Sequence, residues 1–280
     1  MNSLSIAVTG GNGKLGQAVV ADLRAHGHSV VVLDQHGERA DGFVRTDLTD
    51  YGQVIDALHG VNDQHTGLDA VVHLGAIPAP GLAPDSAVFQ NNMAATFNVF
   101  QGARRAGIQR IVYASSETVL GLPFEVAPPY IPVDEEYDTR PESVYSLVKH
   151  LEEEMARKLV RWDPALSITA LRFSNVMSPS DYSSFASFTT DSRKWNLWGY
   201  IDARDGAQAV RLALTAAQPG FEAFIIAAAD TVSPEPSASL VASAFPSVPF
   251  TPTPGSHDTL LSIDKARRLL GYAPEHSWRD

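Results

Sequence analysis

Residues 5–16 read "SIAVTGGNGKLG", a short apolar run that stops at a cluster of glycines. The run has the length of a buried strand. Gly10, Gly13 and Gly16 follow it in a G-x-x-G-x-x-G spacing. Glycines so placed permit a tight turn, close approach of backbone to a pyrophosphate, and tight packing of helix on strand. The free N–H groups at the start of the next helix then face the phosphates. A glycine triplet also occurs in a plain strand-to-helix turn, so the flanking sequence has to decide.

Outward from that loop, "SVVVLD" at 29–34 reads as a second strand ending at Asp34, 24 residues after Gly10. A carboxylate there accepts hydrogen bonds from ribose hydroxyls and repels a 2′-phosphate, which favours NAD over NADP. Arg39, five residues on, keeps NADP open. "RTDLTD" places Asp47 after a third short strand, either reaching an adenine edge or capping the next helix. Three more runs, "LDAVVHLGA", "QRIVYASS" and "SITALRFS", have strand length, and helical patterns lie at 14–26, 50–59, 85–106 and 141–161. This alternation predicts an α/β fold, a Rossmann-type doubly wound parallel sheet with a small C-terminal substrate lobe.

The character changes after about residue 175. "MSPSDYSSFASFTTDS" is polar and Ser-rich, and "DTVSPEPSAS" and "FPSVPFTPTPGS" are Pro-rich. The expected division is a nucleotide-binding domain at 1–174 and a smaller lobe at 175–280, with 200–228 returning to the sheet. A last helix is expected at 262–270, capped by Ser262 or Asp264, ended by Gly271 and blocked by Pro274.

Composition narrows the function. The 280 residues are 44% hydrophobic and 19% charged, ordinary for a globular chain. A net charge of −11 argues against nucleic acid or an anionic membrane as a partner. There is no cysteine, which excludes disulfides, thiolate catalysis and cysteine-ligated zinc. The opening residues lack the pattern of a secretory signal, and no apolar run reaches membrane-spanning length, so a cytoplasmic location is expected.

The stretch "PESVYSLVKHLE" at 141–152 puts Tyr145 and Lys149 four positions apart, on one face of a helix. Tyrosine, with an ordinary pKa of about 10, is a poor base at neutral pH. A nearby ammonium favours the phenolate and brings it toward the working range. Ser115 and Ser116 close the fifth strand, where a hydroxyl beside the tyrosine can donate to a substrate oxygen. A surface tyrosine, a solvated lysine and two strand-ending serines would look the same in isolation.

With these elements in order, the chain resembles the extended short-chain dehydrogenase/reductases, in particular the NAD-dependent epimerase/dehydratase family. The resemblance rests on "TGGNGKLG", Asp34, "TDL", "HLGA", "NNMAATFNV", "YASSETVLG", "YSLVK", "LRFSNV", "YIDARDGAQAV" and the closing "SIDKARRLLGYAP". It implies Tyr145 as general base or acid, Lys149 as its partner and Ser116 as the substrate-side hydroxyl. It implies NAD contacts from Gly10, Asn12, Gly13, Lys14, Leu15, Gly16, Asp34, Asp47, Leu48, Leu74, Gly75, Ala76, Asn91, Ser115 and Ser174. Glu117, Thr118, Arg172 and Asn175 would line the substrate, and no metal is implied.

Within such a family the reaction depends on "SSETVLG". Sugar-nucleotide dehydratases follow the serine position with an Asp-Glu pair, and this chain has Glu117-Thr118, so dehydration is disfavoured. Nucleotide-sugar 4-epimerases resemble Ser116, Thr118 and Val119, but Leu120 stands where they carry Tyr. Only 24 residues separate Asn175 from Tyr200, and that stretch offers Arg193 and Lys194 to a diphosphate. A compact insert resembles the uronate dehydrogenases, which carry Asn-His after the serines. Glu117 would repel a substrate carboxylate unless Arg172 offset it, so a neutral sugar-like alcohol is expected. The alternatives are a UDP-sugar 4-epimerase with tightly held NAD and a non-catalytic dinucleotide sensor.

Other residues draw plainer expectations. His26 and His28 read as surface residues, and His73 as buried and hydrogen-bonded. "EEE" at 152–154 reads as a solvated helix face. Val88, Phe89, Met93, Phe97 and Phe100 read as a core stripe. The resemblance implies a homodimer through that helix and the Tyr/Lys helix. Substrate specificity is expected to lie near 77–87, 121–139 and 176–200.

Overall fold

The structure is a computed structural model that describes residues 3–38, 40–61, 63–121, 124, 126–251, 253 and 255–280. Arg39, weighed above for cofactor choice, lies outside the described residues. Strands β1 (Ser5–Thr9), β2 (Ser29–Asp34), β3 (Phe43–Arg45), β4 (Ala70–His73), β5 (Arg110–Ser116) and β6 (Ser167–Phe173) form where the apolar runs were read. Short β7 (Val176–Met177) and β8 (Ile201–Asp202) pair with each other, and β9 (Gly220–Ile226) completes the main sheet. The order is β3-β2-β1-β4-β5-β6-β9, parallel throughout. Its strands are apolar on both faces because helices cover both. Ile6, Ala7, Val8, Val71, Val72, Ile111 and Val112 are fully buried.

The helices are α1 (Lys14–Ala25), α2 (Tyr51–Leu58), α3 (Asp85–Arg105), α4 (Val144–Trp162), α5 (Thr190–Arg193), α6 (Ala203–Ala216), α7 (Ser237–Ala244) and α8 (Asp264–Leu270). Helix α4 starts at 144 rather than 141 because Ser143 caps it. The Ser143 hydroxyl accepts from Ser146 N–H at 3.1 Å, and the Ser146 hydroxyl accepts from Ser143 N–H at 2.8 Å, a reciprocal capping box. Gly271 ends α8 with φ +73°, the left-handed cap expected of it. The strand order reverses between β1 and β4, which opens a crevice at the carboxyl ends of the strands.

Two expectations are corrected. The acidic run at 152–154 is not a solvated face: Glu152 and Glu153 are buried and only Glu154 is not. Burial is tolerated because each carboxylate meets a cation, Lys149 at 2.9 Å and Arg172 at 2.7 Å. The α3 stripe is split as well. Val88 and Phe100 are in the core, but Phe89 and Phe97 are 39% and 48% exposed, because the two residues face away from the sheet. No helix among the described residues is long and apolar enough to cross a membrane.

Candidate active site

The glycine loop is built for a close neighbour. Gly10 takes φ +66°, and a Cβ there would lie 2.7 Å from the Gly75 backbone. At Gly16 a Cβ would lie 2.1 Å from the Gly10 carbonyl oxygen, so both positions require glycine. Gly13 caps α1 with no side-chain hydrogen bond, and the first turn carries no acid. The N–H groups of that turn therefore keep their donor capacity toward the crevice. Lys14 pairs with Asp181 at 2.7 Å, and Leu15 packs against Gly206 of α6.

Asp34 ends β2 beside this loop. Its carboxylate accepts from Asn12 N–H at 3.1 Å and from His36 N–H at 3.0 Å, and the Asn12 amide in turn donates to the His36 carbonyl. Asp47 accepts from Gln35 at 2.9 Å and from both the N–H and the hydroxyl of Thr49, which hold its carboxyl below the usual range. Asp50, not Asp47, caps α2 by accepting from Gln53 N–H. Leu48 packs against Gly75, and Asn98 pins the Leu48 carbonyl at 3.0 Å.

The 74–77 loop is clamped by a residue that the sequence reading passed over. Fully buried Asn92 accepts from Ile77 N–H at 2.8 Å and donates to its carbonyl at 3.0 Å. Asn91 only supports it, donating to Asn92 at 3.0 Å. The doubled Asn at 91–92 was the available signal.

At the end of β5, Ser116 caps a 3-10 turn (Glu117–Leu120). Its oxygen accepts from Thr118 N–H at 3.2 Å and from the Thr118 hydroxyl at 3.0 Å. With both lone pairs occupied, the Ser116 proton is left to donate outward. Tyr145 stands beside it, 7% exposed. Burial raises the Tyr145 pKa above its ordinary value, with Lys149 and the Ser116 hydroxyl opposing. Lys149 donates to the Ala114 carbonyl and to Glu152, each at 2.9 Å, and its Nζ lies 6.0 Å from the Tyr145 ring centre. Burial works to lower the Lys149 pKa, but Glu152, with Tyr145 and Glu153, raises it on balance.

Two expected site residues, Ser115 and Arg172, are engaged elsewhere. Ser115 points to the other side of β5 from Ser116, as strand alternation requires, and its hydroxyl donates to Glu153 at 2.7 Å. Arg172 is held by Glu153 through two hydrogen bonds of 2.9 and 2.7 Å, so it offers no charge to a substrate carboxylate. Ser174 lies at the end of β6 against Gly199 and Glu117.

The cation near Glu117 is Arg193, and Asn196 donates to Glu117 at 3.2 Å. Burial pushes the Glu117 carboxyl up to about 7, with Ser174, Asn196, Arg193 and the Asn175 N–H opposing. Asn196 is followed by Leu197 and Trp198, both buried with φ near +53° and +54°. That left-handed backbone costs roughly 1–2 kcal/mol per residue. The surrounding packing over-determines it, including a 2.8 Å bond from the Trp198 indole to the Thr190 carbonyl. No periodicity or spacing signals such a turn.

A surface cavity of about 590 Å³ opens in the 121–139 segment, lined by Pro129, Tyr130, Glu136, Tyr137, Asp138 and Arg140. It is tied to the 3-10 turn by Arg140 N–H donating to the Val119 carbonyl at 2.8 Å. Among the described residues, no cluster of three or more His, Asp or Glu side chains could hold a metal.

Residues 6–227 match the family model described as NAD dependent epimerase/dehydratase family. The chain belongs to that family. Among curated proteins it is similar to a UDP-glucose 4-epimerase from Bacillus subtilis (strain 168), at 28% identity over 187 residues, covering 61% of this chain and 52% of the relative. The matched part thus spans about half the length of such curated relatives. Among solved structures it is similar to a short-chain dehydrogenase/reductase superfamily protein from Agrobacterium tumefaciens with bound NAD (TM-score 0.74, 26% identity, 98% and 94% coverage). It is also similar to a UDP-galactose 4-epimerase (TM-score 0.71, 27% identity, 98% and 94% coverage). The glycine loop, Asp34 and the Ser116, Tyr145 and Lys149 group therefore stand in the fold of an NAD-dependent family.

Proposed function

We propose that this protein is an NAD-dependent oxidoreductase that acts on the hydroxyl or carbonyl carbon of a small sugar-like substrate. The observation that carries the choice of substrate is the fate of the two basic residues in the compact 176–199 segment. Arg193 is buried, bonds the Gly199 carbonyl at 2.9 Å and lies over Phe188 and Trp195, and Lys194 lies over Phe245. Arg193 is thereby withdrawn from a diphosphate, which leaves the segment half-buried Lys194 alone to meet its charge. Glu117, whose carboxyl is pushed up to about 7, remains partly protonated at neutral pH and can donate to a sugar hydroxyl.

The residues fit the dinucleotide. Uncapped N–H groups at α1 suit the pyrophosphate, and the free lone pairs of Asp34 suit ribose hydroxyls. When bound, NAD supplies the hydride acceptor. Tyr145 takes the hydroxyl proton of the alcohol as the C–H hydride departs, Ser116 donates to the same oxygen, and Lys149 holds the charge that favours the phenolate. The reverse direction returns that proton to a carbonyl oxygen. Asp34→Asn should weaken NAD binding roughly 10- to 100-fold and narrow its lead over NADP, because a charged acceptor becomes a neutral one. Calorimetric titration with each dinucleotide measures this, and unchanged preference would remove Asp34 from cofactor selection.

The second reading, a UDP-sugar 4-epimerase with NAD regenerated in each turnover, draws on the names of the relatives. Incubation with UDP-glucose or UDP-galactose separates the two: interconversion without net NADH would replace our reading. The exposed Phe89 and Phe97 on α3 and Leu147 on α4 suit a second copy of the chain. Light scattering at micromolar concentration should give a dimer mass, and a stable monomer would contradict it.

A further inference from the structure

A buried chain of hydrogen bonds runs beneath the glycine loop and ends beside Lys149. The N–H groups of Leu74 and Gly75 donate to the Thr9 hydroxyl at 3.1 and 3.2 Å. Thr9 contacts His73 Nδ1 at 2.7 Å, and His73 Nε2 contacts the Thr96 hydroxyl at 3.0 Å. Thr96 donates to Glu152 Oε1 at 2.8 Å, and Lys149 donates to Glu152 Oε2 at 2.9 Å. Thr9, His73, Thr96, Lys149 and Glu152 are each at most 3% exposed.

The direction of every bond is fixed by its neighbours. Thr9 already accepts two N–H groups, so its own proton goes to His73 Nδ1. The imidazole is neutral, its pKa pushed down to about 3 by burial and by Lys149, and so carries its proton on Nε2 for Thr96. Thr96 therefore passes its own proton to Glu152. Both Glu152 oxygens accept, one from a hydroxyl and one from an ammonium, the arrangement of an ionised carboxylate.

We propose that Glu152 is the counter-ion of Lys149 and, by offsetting the ammonium's charge, sets the pH at which Tyr145 releases its proton. Lys149 alone would pull the phenol toward the phenolate, whereas a neutral Lys149–Glu152 pair pulls far less. Among the described residues no other carboxylate bonds Lys149. Glu153 is committed to Arg172 and also faces Arg157 and Ser115, and Glu117 faces Tyr145 from the end of β5 beside Arg193. The remaining group facing Lys149 from β4 is His73, which is neutral. Glu152 acts through Lys149 and is a positioning residue, not a catalytic one.

The inference deepens the oxidoreductase reading and rests on it only for its consequence in turnover. Its test needs no substrate, so failure of one leaves the other standing. Tyrosinate absorbance of the full chain is titrated in wild type and in Glu152→Gln, each corrected with the matching Tyr145→Phe protein. The expected result is a Tyr145 midpoint about one unit lower in Glu152→Gln. An unchanged or higher midpoint overturns the proposal. If that variant does not fold, Glu152→Asp, which draws the carboxylate back from Lys149, takes its place: a lower Tyr145 midpoint than wild type is again expected, and an unchanged or higher one overturns the proposal. Once a substrate is in hand, the pH profile of alcohol oxidation should move the same way, reaching its plateau about one unit lower in Glu152→Gln.

Discussion

Tyr145→Phe should lower turnover roughly 100- to 10,000-fold, the range that a positioned acid–base group supplies. Removing one oxygen leaves the ring in its packing, where Tyr145 is 7% exposed, so folding should be little changed. The glycine loop and Asp34 lie on other elements and keep their geometry, so NAD affinity should stay within a few-fold of wild type. Steady-state rates together with a dinucleotide titration measure both halves. Equal activity in the variant would remove Tyr145 from the chemistry. A parallel loss of NAD binding would recast it as a cofactor ligand.

The largest effect on stability is expected at Arg172. Its guanidinium makes two bonds to Glu153, and both side chains are almost wholly out of water. Arg172→Met leaves the Glu153 carboxylate buried with only Ser115 at 2.7 Å and the more distant Arg157 at 3.8 Å. Breaking such a pair from one side costs about 3–5 kcal/mol, while replacing both partners by apolar groups is often neutral. Urea denaturation should show that loss for Arg172→Met and recovery of most of it in Arg172→Met/Glu153→Leu. A loss below about 1 kcal/mol would mean that the pair is solvated, as surface pairs are.

The sheet was legible because its strands are buried on both faces and read as Val/Ile runs, each ended by Gly, Asp or Ser. The last strand, β9, was harder to see: "GFEAFII" runs into Pro- and Ser-rich sequence after residue 230, and its neighbour in the sheet, β6, is some fifty residues earlier. That Tyr145 and Lys149 share one helical face was legible from their spacing, and the glycine loop, Asp34 and the paired serines gave that face its meaning. The pair's support was not. Three consecutive acids normally mark a solvated face, since unpaired carboxylates are rarely buried. Only tertiary structure brings Arg172 from β6 to Glu153 and Thr96 from α3 to Glu152. The same limit applies to Glu117, for which Arg172 looked like the natural partner. The cation that the fold supplies is Arg193, which precedes the left-handed turn at Leu197 and Trp198 and donates to the Gly199 carbonyl beyond it.

The most direct test of the account mixes the purified protein with NAD and a panel of free sugars and polyols, and follows the absorbance of NADH. Net NADH is expected with at least one neutral sugar-like alcohol in wild type, and its loss in Tyr145→Phe. No NADH from any free sugar, with interconversion of a UDP-sugar instead, would contradict it.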